Sequence, residues 1–295
     1  MDNLILRVNG LVKKYERFSL KEVSIEIPRG YIMGFVGRNG AGKSTTIKCI
    51  MNLIPFDMGS IEVFGLDSGK HADEIKNRIG YVSEEHYFYE GMDVAWTGRF
   101  FGSFYPKWDG GYFDKLLKKF DVDTKKKVGE LSKGMKMKLS LALAMGHRPE
   151  LLVLDEPTSG LDPVVRSELL DLFLEIVQDE NCSIFFSSHI TSDIEKVADF
   201  VTVIDDGRVI LSDEKDSILE NWKVFKVENS CFSEEICRNL TGVRKGEFGF
   251  SGISNKSDIF VNEFRRLFPR GSFKTERITL DELLVRLVKE SETRC

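Results

Sequence analysis

Residues 37–45 read GRNGAGKST, and this stretch decides the fold. It fits the pattern G-x-x-x-x-G-K-[ST], with Gly37, Gly42, Lys43 and Ser44 at the fixed positions. In such a loop, backbone N–H groups surround a phosphate chain, the lysine adds a positive charge, and the hydroxyl is a ligand for Mg²⁺. Glycine permits the tight curvature that this arrangement requires. The stretch therefore predicts a site for the phosphate chain of a nucleotide.

The sequence on either side of this loop supports the same interpretation. Residues 31–37, YIMGFVG, have the apolar character of a short strand, and residues 44–54, STTIKCIMNLI, have helical spacing. The phosphates would lie at a helix N-terminus, where unpaired N–H groups and the helix dipole favour anions. We expect the loop to contact the nucleotide through Gly37, Arg38, Asn39, Gly40, Ala41, Gly42, Lys43, Ser44 and Thr45.

Composition excludes several classes of protein. The chain has 295 residues, a net charge of −5 and no apolar run long enough for a membrane span. This charge balance argues against a nucleic-acid partner. The run Lys125–Lys127 is either a solvated linker, which we favour, or a contact for anionic lipid or RNA. Five cysteines without C-x-x-C spacing, and an opening MDNLILRVNG without leader character, lead us to expect reduced thiols and a cytoplasmic location.

A second motif lies at residues 151–157, LLVLDEP. Its apolar run predicts a buried strand that delivers Asp155 to its exposed end, where a carboxylate can reach Mg²⁺ directly or through water. Glu156 follows directly and could polarise a water in line with the γ-phosphate. The D-E-P sequence also occurs in ordinary strand-to-loop turns, but the phosphate loop makes that alternative weak.

The remaining pattern predicts a layered α/β architecture. Residues 1–36 alternate strand-like runs, which we interpret as a small antiparallel layer, and IEVF, IGYV and CSIFFSSH read as further strands. Residues 92–148 are helical in pattern and rich in aromatics, whereas VTVIDDGRVILSD predicts a hairpin with Asp206-Gly207 at its turn. After residue 214, three strand-like and three helix-like segments, SEEICRNL among the latter, predict a small α+β domain.

At this point the chain resembles the ATP-binding cassette (ABC) ATPases, from about residue 3 to 212. LSKGM at 131–135 is similar to the family signature LSGGQ, and TSGLDP at 158–163 resembles the loop that links the two sites of the dimer. His189, in FFSSHI, lies where the family has its switch histidine, and Tyr15, in LVKKYERF, matches the aromatic that stacks on adenine. The resemblance implies a P-loop NTPase cassette at residues 1–214, with a RecA-like core, an antiparallel β layer and a helical subdomain at about 90–148. Residues 215–295 would be an accessory α+β domain.

The resemblance also implies a mechanism. Two cassettes would sandwich two ATP molecules with Mg²⁺, each site taking the phosphate loop from one chain and LSKGM from the other. Ser132 and Gly134 would then contact the γ-phosphate in trans, and Asp162 is also expected to bind the nucleotide. The partner cassette is either a second copy of this chain or a paralogue. A contribution from a second subunit agrees with the charge that an ATP tail and its transition state carry.

Two motifs depart from the family pattern. Glu84 stands where the family usually has a glutamine that contacts Mg²⁺ and the attacking water, and Glu85 is the rival for this position. A carboxylate can still bind Mg²⁺, but it adds negative charge beside Glu156. The signature carries Lys133 and Met135 in place of glycine and glutamine. Lys133 either adds a cation near the partner's phosphates or points to solvent, and we slightly favour solvent.

The branch of the family is indicated by the aromatic stretch GRFFGSFYPKWDGGYF at 98–113 and by the tail ITLDELLVRL. Both resemble ATPases of bacterial multidrug, peptide-antibiotic and lantibiotic exporters, which work with separate polytopic membrane subunits. We therefore expect a peripheral position on the inner face of the membrane. The alternative is a soluble regulatory ATPase whose C-terminal domain binds a protein or ligand. For that domain we expect a dimer contact first and a ligand sensor second.

Overall fold

The computed structural model describes residues 3–85, 87–180 and 182–293. The chain divides into two compact units, residues 1–212 and 213–295. Each unit has its own sheet structure and its own hydrophobic core.

The first unit contains two sheets and the helices that connect their strands. Its strands are β1 (Leu4–Lys14), β2 (Ser19–Pro28), β3 (Ile32–Val36), β4 (Met58–Val63), β5 (Leu66–Asp67), β6 (Ile79–Val82), β7 (Leu151–Leu154), β8 (Ser183–Ser188), β9 (Phe200–Asp205) and β10 (Arg208–Glu214), the last running into the second unit. Its helices are α1 (Lys43–Ile50), α2 (Ala72–Lys76), α3 (Val94–Gly102), α4 (Gly110–Lys119), α5 (Lys133–Met145), α6 (Pro163–Glu180) and α7 (Thr191–Val197).

The central sheet has the strand order β10-β9-β3-β8-β7-β6. The pairs β6/β7, β7/β8, β8/β3 and β3/β9 are parallel. Every residue of β3, β7 and β8 is buried, which explains the apolar runs IMGFV, LLVL and IFF within these strands. Parallel pairing places the carboxyl ends of the strands at one edge of the sheet.

The second sheet of this unit is antiparallel, in the order β2-β1-β4-β5. Burial alternates along β2, as expected for a strand with one buried face. The buried side chains Leu6, Val8 and Ile25 join one core cluster with Phe35 and Ile47 of the region around the phosphate loop. The antiparallel layer therefore packs directly against the central sheet.

The turn between β9 and β10 fastens three parts of this unit together. Asp206 and Gly207 both have positive φ, at 43° and 73°, as a two-residue type I′ hairpin turn requires. A Cβ at Gly207 would lie 2.0 Å from the Ser19 carbonyl oxygen, so only glycine fits. Gly207 donates to Ala41 O at 2.9 Å and accepts from Lys21 N at 2.7 Å. The predicted hairpin is confirmed.

Residues 94–145 form a helical region of α3, α4 and α5. The N-cap side chains that accept a backbone N–H of the first turn are Asp93, Asp109 and Ser132. The Trp108 ring lies against Gly146, where an added Cβ would be 2.3 Å from the ring. Glycine is therefore required where this aromatic side chain crosses the end of α5.

The second unit has the split βαββαβ arrangement. Its strands are β11 (Lys223–Glu228), β12 (Thr241–Lys245), β13 (Gly249–Ser254) and β14 (Phe273–Arg277), and its helices are α8 (Lys215–Asn221), α9 (Glu234–Cys237), α10 (Ser257–Leu267) and α11 (Leu280–Thr293). The sheet order is β12-β13-β11-β14, with antiparallel neighbours. Phe225 and Val227 of β11 pack with Phe260 and Phe264 of α10 on one face of this sheet.

The predicted α/β class is confirmed, and the differences are local. SEEICRNL forms only the four-residue helix Glu234–Cys237, because the chain then turns and Leu240 enters the core. The short elements β5, α2, α8 and β12 were not predicted. Cys49, Cys182, Cys231 and Cys237 are free thiols, whereas Cys295 lies outside the described residues. Within residues 3–85, 87–180 and 182–293, no helix combines the length and apolarity needed to cross a membrane.

Candidate nucleotide site

Four candidate segments meet at the carboxyl edge of the central sheet. The phosphate loop follows β3, Glu84 lies just after β6, Asp155 directly follows β7, and His189 directly follows β8. Since β6, β7, β8 and β3 are consecutive parallel neighbours, these segments converge. Ligands of open α/β sheets bind at this kind of edge.

Glycines give the phosphate loop its shape. Gly40 and Gly42 have φ of 82° and 112°, a region that other residues rarely adopt. A Cβ at Gly42 would also lie 2.7 Å from a methyl carbon of Leu20. Because the N-cap of α1 is Gly42, it has no side chain to accept the first N–H groups of the helix. Those donors are left for an anion.

Lys43, the first residue of α1, is 6% exposed. Its ammonium donates to the carbonyl oxygens of Gly37 at 2.8 Å and Arg38 at 3.3 Å. The same ammonium lies 3.0 Å from Oε1 of Glu156, whose side chain is also 6% exposed. The Lys43 side chain therefore folds back over the phosphate loop, and the carboxylate of Glu156, after β7, balances its charge.

Glu156 is held on its second oxygen by His189. His189 Nδ1 donates to Oε2 at 2.7 Å, and the His189 backbone N–H donates to the same oxygen at 3.3 Å. The backbone of Glu156 has φ of 50°, an uncommon conformation for a residue with a side chain. Strained backbone of this kind concentrates at functional sites. Lys43, Glu156 and His189 thus form one connected chain of contacts, which we call the carboxylate clamp.

Asp155 lies beside the clamp and is 2% exposed. Its Oδ1 accepts from Ser44 Oγ at 3.2 Å and from Ser187 Oγ at 2.6 Å. Ser187 Oγ in turn accepts from the Glu156 backbone N–H at 2.9 Å. Burial, together with the Asp155 charge, raises the pKa of Tyr81 to about 12, so this phenol stays protonated.

The residues around Asp155 fit Mg²⁺. The hydroxyl of Ser44 and the carboxylate of Asp155 are adjacent hard oxygen donors, the type that Mg²⁺ prefers. In the described parts of the chain, no group of three His, Cys, Asp or Glu side chains is placed to hold a metal. Mg²⁺ in phosphate sites commonly takes only one or two protein ligands and completes its shell with phosphate oxygens and water.

A cavity of about 620 Å³ opens above these groups. The expected site residues that line it are Asn39, Gly40, Gly42, Lys43, Ser44, Thr45, Glu84, Glu156 and His189. Glu85 is not among the lining residues of this cavity; its carboxylate accepts from the Tyr87 hydroxyl instead. Of the two rivals, Glu84 is the one that reaches the cavity.

The residues at the Tyr15 end of β1 are placed differently with respect to this cavity. Arg17 and Phe18 line the cavity, whereas Tyr15 does not. The Tyr15 ring is 49% exposed, and the Lys13 ammonium lies 5.4 Å from its centroid. Tyr15 therefore presents an open aromatic face near the start of β2.

The signature segment lies outside the phosphate cavity. Ser132 caps α5 by accepting from Met135 N at 3.2 Å, and a Cβ at Gly134 would lie 2.8 Å from a methyl of Val165. Lys133 is exposed, and its ammonium passes over Gly160. None of these residues lines the cavity that the phosphate loop forms.

Asp162 also lies outside that cavity. Its Oδ1 accepts from the backbone N–H groups of Val164 and Val165, both at 3.1 Å. These are the unpaired donors of the first turn of α6, so Asp162 caps that helix.

Sequence reasoning missed two groups of residues. Ser187 was hidden inside a strand that reads as apolar, although the serines of FFSSH were a signal. Asp193, 1% exposed, accepts from Thr158 Oγ1 at 2.6 Å and from Arg166 Nε at 2.5 Å. This buried network ties the loop after Glu156 to α7.

Comparison with known proteins agrees with this geometry. The family model described as ABC transporter matches residues 20–159. The bacitracin transport ATP-binding protein BcrA of Bacillus licheniformis is 38% identical over 209 residues, which cover 70% of this chain and 68% of BcrA. The ABC transporter ATP-binding protein YtrB of Bacillus subtilis is 34% identical over 203 residues, covering 69% of each chain.

A solved structure described as the ATP-binding subunit of an ABC transporter superposes with a TM-score of 0.66 at 28% identity, covering 73% of this chain and 92% of that chain. Fold and site define a nucleotide-binding P-loop protein. The chain belongs to the ABC transporter family, as its ATP-binding subunit, and is an ATPase. The predicted family and activity are confirmed, over the alternative of a soluble regulatory ATPase.

Proposed function

We propose that this chain hydrolyses Mg²⁺-bound ATP as one of two cassettes with shared sites and so drives an exporter. The carboxylate clamp carries this proposal: Glu156 contacts Lys43 through one oxygen and His189 through the other, at the edge of the sheet where the phosphate loop lies. An ammonium, a carboxylate and an imidazole in contact can bind a phosphate, accept a proton from water and orient the acceptor.

The charge of Lys43 is balanced by Glu156 at 3.0 Å. The β- and γ-phosphates compete for this ammonium when ATP enters. Release of Lys43 frees Oε1 of Glu156 to accept a proton from the attacking water, while His189 holds Oε2 in place. His189 also senses the γ-phosphate.

Three oxygen donors are proposed to hold Mg²⁺: Ser44, Asp155 and Glu84. Bound Mg²⁺ supplies charge neutralisation at the phosphate oxygens. Ser187 holds Asp155 from the opposite side of its carboxylate, at 2.6 Å. Tyr15 is proposed to stack on adenine with its exposed face.

The second cassette supplies the signature residues. Ser132 and Gly134 lie outside the cavity of their own chain, so we assign them to the site of the partner. Asp162, in the loop before α6, is also proposed to bind nucleotide. The helix start at α5 would then direct N–H groups at the γ-phosphate. A second copy of this chain suffices, because both halves of the site are present in one sequence.

The membrane partner is proposed to dock on the helical region, at the inner face of the membrane. Trp96 and Phe100 stack at 5.1 Å, and Tyr89 and Phe104, 61% and 65% exposed, pack edge-on against Phe100. An exposed aromatic patch of this kind marks an interaction surface. Because BcrA is named for bacitracin transport, we propose peptide-antibiotic-like cargo. Residues 1–214 would be the cassette, and 215–295 an accessory domain.

Light scattering of the Glu156→Gln variant, with and without Mg²⁺-ATP, tests the shared site. Blocked hydrolysis should trap the sandwich, so we expect an ATP-dependent shift from monomer to dimer. Adding Ser132→Arg should abolish the shift, because the signature would no longer fit a partner. A mass that does not change with ATP would contradict the shared-site proposal for the isolated chain.

Co-purification from membranes tests whether the chain binds a membrane subunit through the aromatic patch. Phe104→Glu should reduce recovery of a polytopic partner, whereas Leu53→Glu, at another exposed apolar position, should not. Equal recovery of both variants would place the membrane contact elsewhere.

A further inference from the structure

The second unit contains a cavity that plays no part in the chemistry above. It lies along the strand that carries Lys226 and Glu228, with Val227, Phe250 and Phe273 also contributing to its lining, and has a volume of about 530 Å³. This is within the usual range for small-molecule sites, about 300–1,000 Å³. Its lining includes Lys226, Glu228, Arg244, Phe248, Ser251 and Lys274.

Strand register places the polar lining residues in one row. Lys226 of β11 is opposite Ser251 of β13 and Lys274 of β14, and Ser251 is opposite Arg244 of β12. Directly opposed residues of antiparallel strands project from the same face. The row therefore crosses all four strands, with Arg244 and Lys274 on the two edge strands. Three strand spacings separate these edges, about 14 Å.

The end of the same face is closed by α11. Arg286 of this helix is 3% exposed; it donates to Ser251 Oγ at 3.2 Å and Gly242 O at 3.1 Å and pairs with Glu282 at 2.8 Å. Its charge is thus used inside the unit. The helix forms a fixed wall, beyond which the sheet face stays open.

The charges on the open part are only partly matched. Lys226 pairs with Glu276 at 2.6 Å, and Glu228 accepts from Ser272 Oγ at 2.7 Å. Across the part of the chain that the structure describes, Arg244 and Lys274 have no acidic partner within 4.0 Å. Two cations therefore stand unmatched at the two sides of one cavity.

The cavity also has an apolar component. Phe248, in the turn between β12 and β13, is 85% exposed and lines it. Gly249 adds no side chain to the floor, since a Cβ there would lie 2.4 Å from the Val227 carbonyl oxygen. Aliphatic stems of lysine and arginine cover apolar surface while their charges remain available.

We propose that this cavity binds a small amphipathic organic anion, with its apolar body on the sheet face against Phe248 and its acidic group on Arg244 or Lys274. The strands place no aromatic side chain in this row, which disfavours the base stacking by which sheets of this topology bind RNA. The site is independent of the phosphate loop and makes the second unit a ligand-binding module of the ATPase.

A matched pair of dyes tests the proposal on the full-length chain, with excess Mg²⁺-ADP occupying the nucleotide site. Anilinonaphthalene sulfonate carries the acidic group, and N-phenylnaphthylamine is its uncharged counterpart. We expect saturable sulfonate binding that weakens at least tenfold in the Arg244→Ala/Lys274→Ala double variant. The control Arg238→Ala, at an exposed arginine outside the lining, should bind as the parent does.

Three results would overturn the proposal. The first is equal loss of both dyes in a double variant whose circular dichroism matches that of the parent, which would indicate a purely apolar surface. The second is unchanged sulfonate binding in that variant. The third is that the parent binds no dye and that light scattering shows the parent to be a dimer but the double variant to be a monomer. The face would then be a contact between copies of the chain.

Discussion

The carboxyl edge of the central sheet and the open sheet face of the second unit both concentrate charge, but they treat it differently. At the edge, the Lys43 ammonium is already matched by Glu156, and Asp155 accepts from two hydroxyls. On the open face, Arg244 and Lys274 stand without carboxylates among the described residues. In the first region, mutual contacts hold the charged side chains in position. In the second region, positive charge remains available to bind a ligand.

The largest effect is expected from a substitution that removes the ion pair between Lys43 and Glu156. Glu156→Gln removes the proton acceptor, so kcat for ATP hydrolysis should fall by about 10²–10⁴-fold. Nucleotide should bind more tightly, because a neutral amide no longer competes for Lys43. Phosphate release and nucleotide titration measure the two quantities. Glu26→Gln, on the exposed side of β2, is the control, and a kcat within threefold of the parent would contradict the role of Glu156.

The next largest effect is expected at Arg286, a buried cation of the second unit. Arg286→Met leaves the acceptors at Gly242 and Ser251 unpaired, so this unit should lose about 2–4 kcal/mol of stability. Hydrogen exchange of the β12 and β13 amides measures this loss, while kcat should remain unchanged. Arg238→Met is the exposed control. Unaltered exchange would show that α11 is held by its apolar contacts alone.

A smaller effect is expected at Ser187, which joins the two carboxylates of the site. Ser187→Ala leaves Asp155 with one hydroxyl donor and the Glu156 N–H without its acceptor. We expect a loss of about 1–3 kcal/mol in the free energy of unfolding and about a tenfold loss in kcat. Urea unfolding and steady-state rates test both, with Ser60→Ala, in an exposed part of β4, as control. Full activity would make Ser187 a structural residue only.

The smallest effect is expected at Glu150, a carboxylate that is paired with arginines and is not part of the nucleotide site or the cavity of the second unit. Hydrogen bonds from Arg78, aided by Arg29, lower the pKa of Glu150 below its ordinary value of 4.5, against the opposing effect of burial. A lowered pKa stabilises the fold above the unfolded value, and this contribution disappears as pH falls through the folded value. Glu150→Gln should therefore be less stable at neutral pH, by a small amount because Glu150 is 42% exposed. The urea midpoints of the parent and of Glu150→Gln should converge as the pH falls from neutral through the folded pKa of Glu150, which lies below 4.5. A constant gap would contradict the assignment.

Sequence alone predicted the edge better than the open face, for a physical reason. The phosphate loop and Asp155-Glu156 are contiguous motifs whose strands deliver them to one edge once pairing is parallel. The row from Arg244 to Lys274 depends on the register of four strands, and one-residue shifts would move these side chains to the other face. Ser187 and Asp193 act through contacts with residues about 30 positions away, which no local pattern encodes.

The helix and strand bounds that the sequence did not predict have similar causes. Glu234–Cys237 is capped by Ser233 as predicted helices are, yet the core position of Leu240 ends it after one turn. β12 carries Gly242 at φ of 60° and an irregular register, so it does not read as a strand.

The contact between Lys43 and Glu156 has a consequence for how fast nucleotide arrives. Electrostatic steering accelerates association when a site presents unbalanced charge, and salt then slows it. Here the nearest opposite charge is already 3.0 Å from the lysine, so its attraction for a distant polyanion is largely cancelled. We therefore expect Lys43 to contribute little to the ionic-strength dependence of the association rate constant for ATP. The time the ion pair takes to open would then set the pace of loading.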